Sequence, residues 1–207
     1  NKDWLQEKYF FCPICEKSTK SVIPMNEKLH SVKTDEDSRL YYNELEPMYY
    51  DIVTCSTCWY TSLREHFDQG QATYHYFKKT MDPLQTRLNF KQDKWNFNVD
   101  DAIFSYYFAI FCVDQCFGTN SRSLINAKLW LRLSWIYNNC GDEDREKEAY
   151  EKAHEYFMQA FSEGIFDKIK SGFGLMIVVA AICHKLGDDR NARFLLSEVI
   201  LKSGADK

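Results

Sequence analysis

The chain has 207 residues, 45% hydrophobic and 16% aromatic, enough to bury a core and far from a disordered composition. Its formal charge is −4, and neither the first 66 residues (8 basic, 11 acidic) nor the rest (18 and 19) has the basic excess needed to neutralise many phosphates. Nucleic acid is therefore not the expected partner. The longest apolar run, 173–183, is too short to span a bilayer, and the polar start shows no signal-peptide pattern, so the expectation is a cytoplasmic protein without a membrane partner.

Taken from the N-terminus, the first informative feature is a pair of matched motifs. Tyr9-Phe10-Phe11 leads into Cys12-Pro13-Ile14-Cys15, and Asp51-Ile52-Val53-Thr54 leads into Cys55-Ser56-Thr57-Cys58. Each cysteine pair follows a β-prone run, as at the hairpin tips of a zinc ribbon. Two residues between cysteines let one tight turn aim both thiolates at one tetrahedral ion, and a second turn completes the shell. The chain has eight cysteines and no secretory signal, so this pairing favours metal over disulfides. Cys12, Cys15, Cys55 and Cys58 are thus expected to hold one structural zinc ion. Four thiolates leave no position for an activated water, which argues against a catalytic zinc.

Thirty-nine residues separate Cys15 from Cys55, against roughly 15–20 in a compact ribbon. The excess reads as an insertion with strands near 20–23 and 49–53. Within it, Thr34-Asp35-Glu36-Asp37-Ser38 reads as a solvated acidic loop. His30, His66 and His75 read as packing or surface residues rather than as ligands. In the aromatic pairs Tyr41-Tyr42, Tyr49-Tyr50 and Trp59-Tyr60, alternate members are expected to face a core.

A head over 1–66 then gives way to a connector over 67–98. Its one helix is expected near 71–81 and interrupted by Pro83, followed by a polar stretch at 88–98. From Val99 onward the pattern is helical. Trp130, Leu133, Ser134 and Tyr137 have the offsets of the first helix of a tetratricopeptide repeat, closed by Cys140-Gly141-Asp142. The same ending recurs as Leu186-Gly187-Asp188 after Met176, Val179, Ala180 and Cys183. Glycine accepts the left-handed conformation past a helix end, and aspartate caps the next helix. Small residues seven apart (Ala102 and Ala109, Ala153 and Ala160, Ala192 and Val199) mark close helix crossings, with Tyr106, Phe157 and Leu196 between them. The glycines Gly141 and Gly187 stand 46 residues apart, not the roughly 34 of a standard repeat. The excess fits a longer second helix and a loop near 164–171. The fold class is mainly α with a small β zinc-binding head. Its tail reads as tetratricopeptide-like antiparallel helix pairs over 99–207 or as a generic antiparallel bundle. Cys112, Cys116, Cys140 and Cys183 read as small apolar core residues.

A head with two Cys-x-x-Cys pairs and such a tail resembles an uncharacterised bacterial family, domain of unknown function 2225. The matching stretches are Tyr9 to Cys15, the segment Glu46-Pro47-Met48-Tyr49-Tyr50-Asp51 leading into Cys55, and Leu129 to Asp142. That family usually has glycine after the second cysteine of each pair, where this chain has Glu16 and Trp59. The resemblance implies the architecture and a bacterial source, and carries no known activity.

The expected function is a non-enzymatic interaction module, a scaffold or adaptor whose helical face takes a protein or peptide. In the repeat register the inward-facing positions are Lys128, Leu131, Trp135, Asn138 and Asn139, then Ile177, Ala181, His184 and Lys185; Trp135 reads equally well as core. With fewer than three repeats the array needs the head as a cap, or a second copy of the chain as a homodimer, to close its open end. The alternative is a zinc-ribbon regulator working with nucleic acid, for which Lys17, Lys20, Lys28 and Lys33 would form a local patch. No phosphate-binding loop, nucleophile elbow or His-Glu-x-x-His motif marks an enzyme.

Overall fold

The computed structural model describes residues 2–87 and 98–205. Six short strands occupy the N-terminal part and six α-helices follow among the described residues. The fold is therefore mainly α with a small β head. None of these helices is long and apolar enough to cross a membrane. The chain divides into two compact units, Asn1–Val32 with Tyr42–Ile125, and Lys33–Tyr41 with Asn126–Lys207. These bounds differ from the sequence-based ones at 66 and 98: residues 33–41 of the head group with the C-terminal helices, and the first unit runs on to Ile125.

In the first unit, β1 (Leu5–Phe11) pairs antiparallel with β2 (Ser18–Pro24), with Leu5 opposite Pro24 and Phe11 opposite Ser18. Leu5 and Val22 pack with Tyr50 into a small apolar cluster. The expected strand at 20–23 lies within β2. The one expected at 49–53 is only partly a strand: Pro47–Tyr50 form a 3-10 turn, and β5 (Ile52–Thr54) begins after it. Proline's fixed φ suits the start of a helical turn and cannot donate to a ladder, which explains the difference. β5 pairs antiparallel with β6 (Thr61–Leu63), and both pack on helix α2.

Helix α1 (Tyr74–Arg87) continues through Pro83 rather than stopping there. Pro83 and Lys79 are both exposed, so solvent can take the carbonyl that the missing N–H leaves free. The polar connector read at 88–98 lies outside the described residues except Asn98. That asparagine opens α2 (Val99–Cys116) with a reciprocal cap: the Asp101 N–H donates to Asn98 Oδ1 at 2.8 Å, and the Asn98 N–H donates to Asp101 Oδ2 at 3.4 Å. Ala102, Tyr106, Ala109 and Val113 recur at helical spacing and are all fully buried. Tyr60 is likewise enclosed, with ring centroids of Phe67, Phe77 and Phe117 at 5.0, 6.3 and 6.3 Å.

The second unit contains most of α3 (Thr119–Cys140), then α4 (Glu143–Ser162), α5 (Gly172–Lys185) and α6 (Asp189–Ala205). The two expected turns form as read. Gly141 and Gly187 have φ of 69° and 78°. The N–H of Asp142 donates to Tyr137 O at 3.1 Å and that of Asp188 to Cys183 O at 2.8 Å, closing each helix before the aspartate caps the next. Ala153, Phe157 and Ala160 are buried in α4. In α6 the pattern shifts by one: Leu195 is buried and Leu196 is 43% exposed, because no further helix covers that side among the described residues. Cys112, Cys116 and Cys183 are buried as expected, whereas Cys140 is exposed at the end of α3.

Candidate functional site

Each cysteine pair sits in the turn of a hairpin, Cys12 and Cys15 between β1 and β2, and Cys55 and Cys58 between β5 and β6. The two turns repeat one hydrogen-bond pattern. Cys12 N–H donates to Lys17 O and Glu16 N–H to Cys12 O, both at 2.9 Å; Cys55 N–H donates to Tyr60 O and Trp59 N–H to Cys55 O, both at 2.8 Å. The residue after the second cysteine takes a left-handed backbone in each case, φ 56° at Glu16 and 65° at Trp59. This twist folds each turn back on itself, so both thiols project from one tip. Thr19 joins the tips: its hydroxyl accepts from the Ser56 N–H at 3.0 Å and donates to Thr54 O at 3.4 Å.

The four sulfurs then converge. Cys12 Sγ lies 3.6 Å from Cys58 Sγ, Cys15 Sγ lies 3.5 Å from Cys55 Sγ, and all four fall within 4.8 Å of one another. A tetrahedron with metal–sulfur bonds of about 2.3 Å has edges of about 3.8 Å, so the cluster is suited to one metal ion. Cys12, Cys55 and Cys58 are buried and Cys15 half-buried. Contact with neighbouring sulfurs, chiefly Cys55 for Cys12 and Cys12 for Cys58, pushes the Cys12 thiol up to about 12 and Cys58 higher still. Thiol donation from Cys12 and then Cys58 holds Cys55 low. Sharing protons around one thiolate is what crowded sulfurs do before a cation replaces the protons. Cys112 lies behind this tip, its thiol 3.9 Å from Trp59 O and pushed up to about 12 by burial, so it is a core thiol. His66 bonds Gln69, and His30 pairs with Glu44.

Residues 5–207 match the model of a family described as an uncharacterized protein conserved in bacteria, domain of unknown function 2225 (DUF2225). The chain belongs to the DUF2225 family. No curated protein and no solved structure matches it. Glu16 and Trp59 of this DUF2225 chain take a left-handed backbone, which glycine alone takes without strain.

The residues of the expected helical face of the DUF2225 chain differ in exposure. Asn138, Asn139, Ile177, His184 and Lys185 are exposed, Lys128, Trp135 and Ala181 are half-buried, and Leu131 is buried. Part of this face already holds a segment of the same unit. Strands β3 (Ser31–Thr34) and β4 (Leu40–Tyr42) pair, and the tip between them carries the acidic run. Asp37 Oδ2 accepts from the Trp135 indole N–H at 2.8 Å and from the Tyr150 hydroxyl at 2.7 Å. The Arg39 guanidinium donates to Asn138 Oδ1 at 2.7 Å and to Asn139 Oδ1. Thr34, Glu36 and Ser38 are exposed, as a solvated loop requires, but Asp37 and the neighbouring Arg39 are only 7% and 3% exposed and form a buried polar anchor. Two donors on the carboxylate and two acceptors on the guanidinium offset the loss of water. Sequence reasoning had no signal for this, since Trp135 and Tyr150 lie 98 and 113 residues from Asp37.

Beside the tip an open cleft of about 570 Å³ remains, lined by Glu36, Ile177, Ala181, His184, Ala192 and Leu196 among others. Elsewhere, Lys20 pairs with Glu7, Lys33 with Asp35, and Lys28 donates to Asp3 O, so three of the four lysines of the suggested basic patch are engaged locally.

Proposed function

We propose that this protein is a non-catalytic scaffold or adaptor of the bacterial cytoplasm. In this reading one structural Zn²⁺ on Cys12, Cys15, Cys55 and Cys58 holds the head together. The α3–α4 and α5–α6 pairs act as tetratricopeptide-like units that take a protein or peptide segment. The observation that carries the reading is the open apolar cleft, where Ile177 is 48% and Leu196 43% exposed with His184 at the rim. Exposed apolar contiguity of this kind marks binding grooves. Zinc is favoured over other ions because four thiolates in a tetrahedral shell are its usual structural ligand set. Such a shell has no open position, which supports a structural rather than catalytic ion.

The hairpin tip redefines the face. Trp135, Asn138 and Asn139 are engaged by Asp37 and Arg39, so the partner is expected to contact mainly Ile177, Ala181, His184 and Lys185. Affinity capture from native lysate, with and without nuclease, tests the proposal. A discrete protein that survives nuclease and is lost with the Ile177→Asp/Leu196→Asp variant is the expected result. Capture that depends on nucleic acid would overturn it and favour a zinc-ribbon regulator. A second copy of the chain as occupant would appear as a dimer that the same variant dissociates.

A further inference from the structure

Three residues of the second unit, unused by the proposed function, bring their donor atoms together. His154 lies on α4, Cys183 near the end of α5, and Asp188 in the turn before α6. One His154 nitrogen, the Cys183 sulfur and one Asp188 carboxylate oxygen lie within 4.8 Å of one another. Cys183 is fully buried. His154 Nε2 is buried and makes no hydrogen bond, although Asp188 Oδ2 is 3.4 Å away. A buried ring nitrogen in that state is costly unless something else satisfies it.

The same carboxylate, which caps α6, is fixed by Asn191. Asn191 donates its backbone N–H to Asp188 Oδ1 at 3.2 Å and its side-chain amide to Oδ2 at 2.6 Å. Outer hydrogen bonds of this type orient ligating carboxylates. His154 and Asp188 also line an open cleft of about 680 Å³ with Glu146, Tyr150 and Glu151, which gives an ion a path of entry.

We infer that His154, Cys183 and Asp188 form a second metal site that takes one borderline divalent transition ion such as Zn²⁺. Imidazole nitrogen, thiolate sulfur and carboxylate oxygen suit such an ion, whereas Ca²⁺ and Mg²⁺ take oxygen ligands. Binding expels the Cys183 thiol proton to solvent and forms a metal–sulfur bond. Three protein donors leave the fourth tetrahedral position to water, in contrast to the closed four-sulfur cluster.

The test is the zinc-to-chain ratio of the full chain after equilibrium dialysis against Zn²⁺, with circular dichroism to confirm that each variant folds. The wild type is expected to hold two ions. His154→Ala and Cys183→Ala should each hold one, and His154→Cys, which restores a donor, should hold two. One ion in the wild type would overturn the inference and leave His154 and Asp188 as a simple ion pair between helices. Two ions undiminished in both alanine variants would overturn it equally, by placing the second ion elsewhere. The result is separable from the four-cysteine site, because a Cys12→Ser/Cys58→Ser variant should lose the other ion and keep this one.

Discussion

The two compact units each join segments that are distant in sequence, and they use opposite chemistry. The first brings Cys12 to Cys58 and Cys15 to Cys55, 46 and 40 residues apart, through sulfur. The second seats Asp37 and Arg39 among Trp135, Tyr150 and two asparagines through hydrogen bonds alone. A metal cluster concentrates its stabilisation in one exchangeable ion, on the order of 10–16 kcal/mol in small zinc domains. Hydrogen bonds to charged groups contribute about 1.5–3 kcal/mol each and respond to no chelator. The contrast predicts that the units fail under different treatments.

The largest effect is expected at the cysteines. Cys12→Ser or Cys58→Ser should remove the four-sulfur ion and unfold the head. The loss of hydrogen-exchange protection should cover β1, β2, β5 and β6, while α4 to α6 stay protected. Mass spectrometry of exchanged peptides reads this directly. Unchanged metal content together with unchanged protection in both variants would sink the structural-ion reading.

Next in size is Asp37→Ala, which strips the acceptor from the Trp135 indole and the Tyr150 hydroxyl. It should destabilise the second unit by about 2–3 kcal/mol, seen as a lower urea midpoint followed by exchange in α3 and α4. In a His154→Ala background, which lacks the inferred second ion, a chelator should leave that midpoint unmoved. If the chelator lowers it as much as the substitution does, the two anchors are not separate.

What was legible beforehand follows from the same contrast. Four thiolates around one ion impose a spacing rule, so Cys12, Cys15, Cys55 and Cys58 could be grouped without coordinates. The glycine-aspartate turns at 141 and 187 obey a backbone rule and were equally readable. A carboxylate that accepts from an indole and a phenol imposes no spacing, so the acidic run read as a solvated loop. Pro83 misled for a related reason. Propensity disfavours proline inside a helix, yet an exposed site tolerates it.

A smaller pair of effects tests the backbone of each unit in opposite directions. Glu16→Gly should relieve the left-handed strain in the first knuckle and stabilise the head by about 1 kcal/mol. Gly141→Ala should cost the second unit about as much. A side chain at 141 would meet nothing within 4 Å, so strain at φ 69° is the only cause. Thermal midpoints moving up for the first and down for the second are the expected readout. A neutral Gly141→Ala would show that the turn relaxes.

The smallest effect is a pH dependence confined to the hairpin tip. Burial first, and then donation to Asp35 Oδ2 at 2.6 Å, raise the Tyr41 hydroxyl from its ordinary 10.0 to about 12. Burial and then the Asp37 carboxylate raise Tyr150 in the same direction. Both groups hold their protons more tightly folded than unfolded. Their contribution is therefore intact below pH 10 and fades as pH rises through about 12. Stability of the second unit should decline across that window, less steeply in Tyr41→Phe, which has no proton to lose. Phenolate absorbance that gives Tyr150 an unshifted titration would mean the tip is not seated among the helices in solution, and the cleft beside Ile177 would then extend to Trp135.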